Sequence, residues 1–206
     1  MSTPITVICF DADGVVVNPK KRFSIFREKE YGLTHEMTAP FFTGVFLDCL
    51  KGKADLQDVL PSYLQVWHWQ ESTQEFIRIW HETEHVIDEQ LMSFIRKIRG
   101  SGIRCCLATN QEKHRAAYMR ERMRFQDLFD QVFISCEIGS MKPEVEYYRA
   151  IEKQLGCSGE EILFWDDTLT HVKAAHACGW HAEQYTNFDG FLQCMESNYV
   201  LNYTAA

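Results

Sequence analysis

The sequence has no excess of positive charge. It contains 21 Lys and Arg residues against 29 Asp and Glu residues, which gives a net charge of −8 at pH 7. This balance argues against a surface that binds nucleic acid or an anionic membrane. A local lysine and a metal ion can still reverse the field within a pocket, so the charge is compatible with an anionic small substrate.

Paired cysteines and long apolar runs are also missing. None of the eight cysteines forms a Cys-x-x-Cys pair and several lie in apolar runs, so we expect small core residues in a reducing compartment. No apolar stretch approaches the length of a membrane span, and the N-terminal residues have neither the basic flank nor the cleavage site of a signal peptide. Together these absences predict a cytoplasmic protein with no membrane partner.

The sequence does contain short apolar, β-branched segments that alternate with amphipathic helices. The segments predict strands at residues 6–10, 103–108, 131–135, 161–165 and 181–185. One helix is predicted from an Asp88 cap to Gly100, another with Pro143 as its first residue, and a third after Asp167 that ends at Gly179. This alternation predicts an α/β fold with a Rossmann-like parallel sheet core. Beyond residue 186 we expect only an amphipathic turn around Phe191.

One interval breaks this rhythm, because about ninety residues separate the first strand from the second. That is far more than one crossover needs, and the stretch has helical periodicity throughout. Ser72 and Glu75 have the spacing of a capping box ahead of one of these helices. We therefore predict an inserted all-helical module at residues 16–88, with the α/β core at residues 1–15 and 89–206.

Four short polar segments follow these elements in a fixed order. They are Asp11 with Asp13, Thr109-Asn110, Lys142-Pro143 and Asp166-Asp167. The carboxyl ends of parallel strands meet at one edge of a sheet, so these groups should come together. Clustered carboxylates repel each other unless a cation neutralises them, and Mg²⁺ is the hard ion that suits oxygen ligands. The set therefore predicts a phosphoryl-transfer site.

Each segment taken alone has a simpler interpretation. An isolated Asp-x-Asp-Gly stretch is commonly a surface turn, Thr109-Asn110 fits a helix cap, and Lys142 fits a solvated lysine. Their joint order and their placement at strand ends favour the functional interpretation.

This pattern resembles the haloacid dehalogenase superfamily. Its motifs correspond to residues 11–17, Thr109-Asn110, Lys142-Pro143 and Asp166-Asp167. A helical insertion after the first motif resembles the cap of subfamily I, and residues 42–44 and 47–48 resemble cap segments of its small-sugar-phosphate phosphatases. The resemblance implies a Mg²⁺-dependent phosphatase that acts on a small phosphorylated metabolite, with a sugar phosphate as one example.

The resemblance also implies a role for each residue. Asp11 would be the nucleophile that forms an aspartyl-phosphate, and Asp13 would be the general acid and base. Mg²⁺ would be held by the Asp11 carboxylate, the Asp13 backbone carbonyl and the Asp167 carboxylate, with help from Asp166. The residues that would hold the transferring phosphoryl group are Thr109, Asn110 and Lys142, the last of which also counts among the catalytic residues.

Two positions depart from the family pattern. His171 stands where many relatives have Asn, and Trp165 stands where they have a small or aliphatic residue. We expect His171 to pair with neighbouring polar atoms and Trp165 to pack within the sheet, so that both affect the surroundings of the reacting groups.

Other activities of the same superfamily remain open. A dehalogenase usually lacks the second aspartate of the first motif, so Asp13 favours phosphate. A phosphonate hydrolase needs a cap lysine, for which Lys20, Lys21, Lys51 and Lys53 are available, although surface lysines are the simpler interpretation. A phosphomutase and a binding protein without catalysis remain alternatives.

The predicted insertion contains two further features. Residues 81–85 match His-Glu-x-x-His, the pattern of a zinc protease, but no third ligand follows at a recognised spacing and we favour a charged, solvated helix face. Several aromatic side chains and one amide could shape a substrate pocket, although we expect most of the aromatics to form the core of the insertion: Phe41, Phe42, Trp67, Trp69, Trp80 and Asn18.

Overall fold

A computed structural model describes residues 4–19 and 22–199. Its five strands form one sheet in which all neighbouring strands are parallel. The strands are β1 (Val7–Phe10), β2 (Arg104–Thr109), β3 (Gln131–Ile134), β4 (Ile162–Asp166) and β5 (His181–Gln184). Their order across the sheet is β3-β2-β1-β4-β5. Each predicted strand is confirmed to within a residue at either end.

The central strand β1 and its neighbour β4 are buried along their whole length. Both are continuous apolar runs, as expected for strands covered on both faces. Phe10, the last residue of β1, lies opposite Leu107 of β2 and Trp165 of β4. This register brings the ends of the three strands to the same level, so the residues that follow them share one edge of the sheet.

Twelve α-helices accompany the sheet in the described part of the chain. They are α1 (Phe23–Tyr31), α2 (His35–Phe42), α3 (Phe46–Leu50), α4 (Leu56–Val66), α5 (Thr73–Thr83), α6 (Glu89–Gly100), α7 (Lys113–Glu121), α8 (Phe125–Leu128), α9 (Ser135–Ile138), α10 (Val145–Leu155), α11 (Leu169–Ala177) and α12 (Phe188–Asn198).

The helices cover both faces of the sheet. On one face α6 and α12 pack through Phe94 and Phe191 against Phe10 and Trp165. On the other face α10 and α11 pack through Tyr148 and Val172. The Rossmann-like α/β fold is confirmed, with the core of the sheet formed by two apolar layers.

The chain between β1 and α6 carries the helices α1 to α5, and these have an apolar core of their own. Phe41, Leu60 and Phe76 are completely buried in it, surrounded by other aromatic rings. Val15, Val16 and Val17 instead pack in the cluster on the sheet. The all-helical insertion is confirmed, whereas its boundaries at residues 16 and 88 stay a prediction.

Two helix starts follow the expected capping chemistry. The Asp88 carboxylate accepts a hydrogen bond from Leu91 N at 3.0 Å and begins α6. The Ser72 hydroxyl accepts one from Glu75 N at 3.1 Å and begins α5. The Glu75 carboxylate turns to Arg78 instead of the Ser72 backbone, so only half of the predicted capping box forms.

Two predictions of local structure were wrong. Pro143 is not the first residue of α10: it lies in a turn closed by the hydrogen bond from Glu144 N to Met141 O, and the helix begins at Val145. The region after residue 186 forms an eleven-residue helix, α12, where we expected a turn. Its apolar residue Phe191 packs on Trp165, with 4.7 Å between ring centroids, so tertiary packing stabilises a helix whose local signal is weak.

All eight cysteines are free thiols, five of them buried. Within the described residues, no helix has both the length and the apolar character needed to cross a bilayer.

Candidate active site

The four polar segments meet at the carboxyl edge of the sheet. Asp11 follows β1 directly, Thr109 and Asp166 are the last residues of β2 and β4, and Lys142 comes from the loop after α9. The connections leaving β1 and β4 run to opposite sides of the sheet, so the crevice between these strands is a topological switch point. Ligands of open α/β sheets bind at such a crevice.

Lys142 is the centre of the site. Its ammonium lies 2.9 Å from Asp11 Oδ1 and 2.6 Å from Asp166 Oδ2, and it donates to Ala108 O at 2.9 Å. The side chain is completely buried. Asn110 fixes the backbone of Lys142 from both sides, because Lys142 N donates to Asn110 Oδ1 and Asn110 Nδ2 donates to Lys142 O, each at 2.9 Å. One positive charge is thus held rigidly between two carboxylates.

The ionisation of these groups follows from their burial and their partners. Burial raises the pKa of Asp11 to about 7, although Lys142 acts in the opposite direction. Burial also opposes ionisation of Asp166, but Lys142 and His171 outweigh it and hold the pKa of Asp166 at about 2. Burial would lower the pKa of Lys142, yet the two carboxylates raise it. Lys142 is therefore charged and pairs more tightly with Asp166 than with Asp11.

Three carboxylates form a group of metal-ligand type. Oxygen atoms of Asp11, Asp166 and Asp167 lie within 4.8 Å of one another. Gly14 lies directly against this group, because a Cβ atom at Gly14 would be 2.2 Å from Asp167 Oδ2. Asp167 Oδ2 also accepts a hydrogen bond from Arg22 Nη2 at 3.0 Å. Hard oxygen donors at this spacing fit a divalent cation such as Mg²⁺.

The Asp13 side chain lies apart from the three carboxylates. Gln111 Nε2 donates to Asp13 Oδ2 at 2.8 Å and to Thr109 Oγ1 at 3.1 Å. Gln111 is buried and so orients both residues. Sequence reasoning missed Gln111, although its position directly after Thr109-Asn110 at a strand end was a usable signal.

The inserted helices close over Asp13 and leave a cavity of about 110 Å³. Phe46, Leu50 and Trp80 of the insertion line it, and the core contributes Gln111 and Arg115 among others. Arg115 is buried and ties the two parts together, since it donates to His81 O at 3.0 Å and to Glu84 O at 3.1 Å. No sequence pattern indicated Arg115 or the nearby Glu84. A larger cavity of about 570 Å³, between residues 52–55 and α7, contains none of the four polar segments.

The His-Glu-x-x-His stretch does not form a metal centre. Among the described residues, the only group of three ligands at metal spacing is the aspartate group above. His81 is buried, with its ring 3.7 Å from Glu112, so the expected solvated face was wrong at this position. His85 is exposed and pairs with the Tyr118 hydroxyl at 2.9 Å. The two imidazoles have separate polar partners, and both rings pack against Tyr118.

The two departures from the family pattern lie beside the site. His171 Nδ1 is 3.1 Å from both oxygens of Asp166 and so pairs with a neighbouring polar group, as predicted. Trp165 is 1% exposed and packs on the sheet face, again as predicted. Its ring faces Phe191 and away from the reacting groups.

The aromatic residues of the insertion divide into two kinds. Phe41 and Trp67 are buried in its core, as expected for most of the set, and Trp69 is half-buried against Phe76. Phe42 and Trp80 instead line cavities. Asn18 is exposed and lies outside both cavities.

The cap lysines proposed for a phosphonate hydrolase have other placements. Lys51 forms an ion pair with Glu144, and Lys53 is exposed beside the larger cavity. Lys20 and Lys21 lie outside the described residues.

Comparison with known proteins decides the family. The haloacid dehalogenase-like hydrolase family matches residues 5–179, which is most of the chain. The chain belongs to this family. The resemblance seen in its motifs is thus confirmed.

Similar proteins in this family are named as phosphatases. The sesquiterpene phosphatase astK of Aspergillus oryzae is 35% identical over 109 residues, which cover 53% of this chain and 55% of that protein. The match therefore spans about half the length of that relative. The phosphorylated carbohydrates phosphatase of Thermotoga maritima is 23% identical over 182 residues, covering 84% of this chain and 81% of that protein.

Solved structures of the family share the fold. A haloacid dehalogenase family enzyme of Bacteroides thetaiotaomicron, in complex with magnesium and inorganic phosphate, has a TM-score of 0.75 at 21% identity, covering 88% of this chain and 94% of that one. A predicted hydrolase of Porphyromonas gingivalis has a TM-score of 0.77 at 23% identity, covering 94% of this chain and 97% of that one.

Proposed function

We propose that this protein is a Mg²⁺-dependent phosphatase that hydrolyses a small phosphorylated metabolite through a phosphorylated Asp11. The observation that carries the proposal is the position of Asp11: it follows β1 at the switch point of the sheet, 2.9 Å from a buried Lys142 and within the carboxylate group. A nucleophile, a fixed positive charge and oxygen ligands for a hard cation are what phosphoryl transfer requires.

The metal ligands would be the carboxylates of Asp11 and Asp167 and the backbone carbonyl of Asp13, with Asp166 assisting. A bound divalent cation would neutralise charge on the carboxylates and on the phosphoryl oxygens. Gly14 supports this role, because any larger residue would collide with Asp167.

In the first step a carboxylate oxygen of Asp11 forms a bond to phosphorus, and the bond from phosphorus to the leaving oxygen breaks. Asp13 gives its proton to that oxygen, so the alcohol departs neutral. In the second step Asp13 takes a proton from water, whose oxygen bonds to phosphorus as the Asp11–phosphorus bond breaks. Inorganic phosphate leaves and both aspartates return to their starting state.

Thr109, Asn110 and Lys142 would bind the transferring phosphoryl group. The Thr109 hydroxyl and the Asn110 backbone N–H lie at the end of β2, and the Lys142 charge offsets the charge on the equatorial oxygens. Asn110 adds to this by positioning the Lys142 backbone.

Two relatives support a phosphate monoester as the substrate class. One is named for sesquiterpenes and the other for phosphorylated carbohydrates. A sugar phosphate and a terpenoid phosphate are therefore both consistent with the family.

The test measures phosphate release from p-nitrophenyl phosphate with Mg²⁺ and with EDTA. We expect activity only with Mg²⁺, and a loss of about a thousandfold or more in Asp11→Asn. Asp13→Asn should still be phosphorylated on Asp11 but should turn over slowly, so that mass spectrometry detects the added phosphoryl group. Asp58→Asn, an exposed aspartate of α4, is the matched control and should behave as the wild type.

Unchanged phosphate release in Asp11→Asn would contradict the proposal. Products distinguish the alternatives of the same superfamily: isomer without phosphate indicates a mutase, and halide release without Mg²⁺ indicates a dehalogenase. A protein that binds phosphate esters without releasing phosphate would be a binding protein.

A further inference from the structure

The cavity beside Asp13 indicates a class of substrate. We propose that it holds the leaving group and that this group is an uncharged, largely hydrocarbon alcohol, with Phe46, Leu50 and Trp80 as the specificity-determining residues. The inference rests on the proposed function, in which Asp13 protonates the oxygen that leaves phosphorus. The leaving group must then lie next to Asp13, and the cavity of about 110 Å³ is there.

Three apolar side chains of the insertion form one rigid wall of the cavity, next to the carboxylate of Glu84, which also belongs to the insertion. Phe46 and Leu50 come from α3 and Trp80 from α5. The indole of Trp80 is stacked on the ring of Phe23, with 5.4 Å between ring centroids. Its Nε1 donates a hydrogen bond to Glu84 Oε2 at 3.0 Å. Because these side chains are already held in place, they lose little conformational entropy when a hydrocarbon group binds.

The polar groups on the core side are already engaged. Gln111 Nε2 uses its two hydrogens on Asp13 and Thr109, at 2.8 and 3.1 Å. Asn110 uses its amide nitrogen and its oxygen on the backbone of Lys142. These groups position the reacting residues, and Gln111 has no amide hydrogen left for a sugar hydroxyl.

The charged groups at the cavity have structural partners, while the carboxylates keep acceptor sites and Arg115 keeps further N–H groups. Arg115 donates to His81 O and Glu84 O, at 3.0 and 3.1 Å. Glu112 accepts from the backbone N–H groups of His114 and Arg115 at the start of α7. Glu84 accepts from Phe23 N at 3.1 Å on its other oxygen.

Two consequences follow for the substrate. A polyhydroxylated leaving group would give up its hydrogen bonds to water wherever it meets the apolar side chains of Phe46, Leu50 and Trp80, which disfavours binding. A leaving group with a second phosphate would face the carboxyl groups of Glu84 and Glu112 with only Arg115 in compensation. An uncharged hydrocarbon alcohol meets neither obstacle.

The first test compares two substrates that have the same carbon chain and differ in their hydroxyl groups, pentyl phosphate and ribitol phosphate. We expect the wild-type kcat/KM for pentyl phosphate to be higher by about tenfold or more. Equal values, or a preference for ribitol phosphate, would overturn the proposal. This comparison needs no variant, so it decides even if a cavity variant fails to fold.

The second test changes the wall. Leu50→Asn should lower the ratio of kcat/KM for pentyl phosphate to kcat/KM for acetyl phosphate, whose leaving group is very small, by about tenfold. The matched control is Leu47→Asn in the same helix, because Leu47 is 38% exposed and does not line the cavity. An equal loss for both phosphates, or the same loss in the control, would contradict a specificity role for Leu50.

The Asp11→Asn variant distinguishes a failure of the substrate proposal from a failure of the proposed function. If it abolishes phosphate release while pentyl phosphate is not preferred, this proposal alone is wrong. If phosphate release survives in Asp11→Asn, the proposed function fails and this inference fails with it.

Discussion

Lys142 is the residue on which the charge balance of the site depends. It is the fully buried cation between Asp11 and Asp166. Lys142→Met should lower the free energy of unfolding by about 3–5 kcal/mol in EDTA, because two buried carboxylates lose their partner. The loss should be smaller with saturating Mg²⁺, which takes over part of the neutralisation.

Urea unfolding with and without Mg²⁺ measures this difference. Lys173→Met, an exposed lysine of α11, is the control and should change the free energy of unfolding by less than about 0.5 kcal/mol. Equal losses in the two variants would show that Lys142 has no special electrostatic role.

Gly14 is a second residue whose contribution to the site can be measured separately, because it lies against Asp167. It has a φ angle of +90°, and a Cβ atom there would collide with Asp167. Gly14→Ala should weaken Mg²⁺ binding by about tenfold or more because Asp167 must move, with a strain of about 1–2 kcal/mol in addition. Titration calorimetry with Mg²⁺ alone measures the affinity.

Gly102→Ala provides the matched control for Gly14. Gly102 has a φ angle of +92° with nothing within 4 Å of the added Cβ. Gly102→Ala should lower the free energy of unfolding through the same backbone strain, without any change in Mg²⁺ affinity. If both variants bind Mg²⁺ as the wild type does, Asp167 is not a ligand.

At the scale of the elements, Asp130 connects α6 to the sheet. Its carboxylate accepts from Arg99 Nη2 at 2.7 Å and from Cys105 N at 2.8 Å. Burial would raise the pKa of Asp130, but these hydrogen bonds outweigh burial and the pKa lies below its usual value. The loop before β3 is therefore fixed to both α6 and β2.

Asp130→Asn should lower the free energy of unfolding by about 1–2 kcal/mol near neutral pH. A carboxyl whose pKa is depressed in the folded state stabilises above its unfolded pKa, and this contribution is lost as pH falls through the folded pKa. The gap between wild type and variant should thus persist at about pH 5 and shrink only below about pH 4.

Urea unfolding across this pH range measures the gap. Asp127→Asn is the control, since Asp127 pairs with Arg124 at an exposed site and should contribute less than about 0.5 kcal/mol. A gap for Asp130→Asn that does not depend on pH would contradict the role of its charge.

At the scale of the whole molecule, ion pairs join the inserted helices to the core. Lys51, at the end of α3, pairs with Glu144 ahead of α10. Asp55, ahead of α4, pairs with Lys113 at 2.9 Å and with His114 at 2.6 Å. These contacts lie on the side of the insertion that faces α7 and α10, outside the cavity beside Asp13.

A double-mutant cycle on Lys51→Met and Glu144→Gln should give a coupling of about 0.5–1 kcal/mol that fades in about 1 M salt. Hydrogen exchange should speed up in α3 in either variant, because this helix loses a connection to the core. The pair of Arg78 with Glu75 lies within α5 and is the control, whose removal should leave exchange in α3 unchanged. Unaltered exchange in all variants would show that the insertion is held by other contacts.

The success of sequence analysis differed between kinds of element. The strands were predicted to within a residue because β1 and β4 are apolar runs whose signal is local. Helix α12 was missed because it is stabilised by the contact of Phe191 with the sheet, which no local pattern contains. Pro143 was misplaced because the Asn110 side chain holds the backbone of Lys142 directly before it, a contact that no local pattern contains.

The sequence alone determined the α/β fold, the helical insertion and the family, because apolar periodicity and the order of reactive residue types can be read along the chain. Only the tertiary structure decided that Lys142 pairs with both Asp11 and Asp166, that Gln111 holds Asp13, and that three apolar side chains of the insertion lie beside Asp13. The physical reason is that these contacts join residues far apart in the chain. Which of them meet depends on the register of the parallel strands and on how the inserted helices pack over their ends.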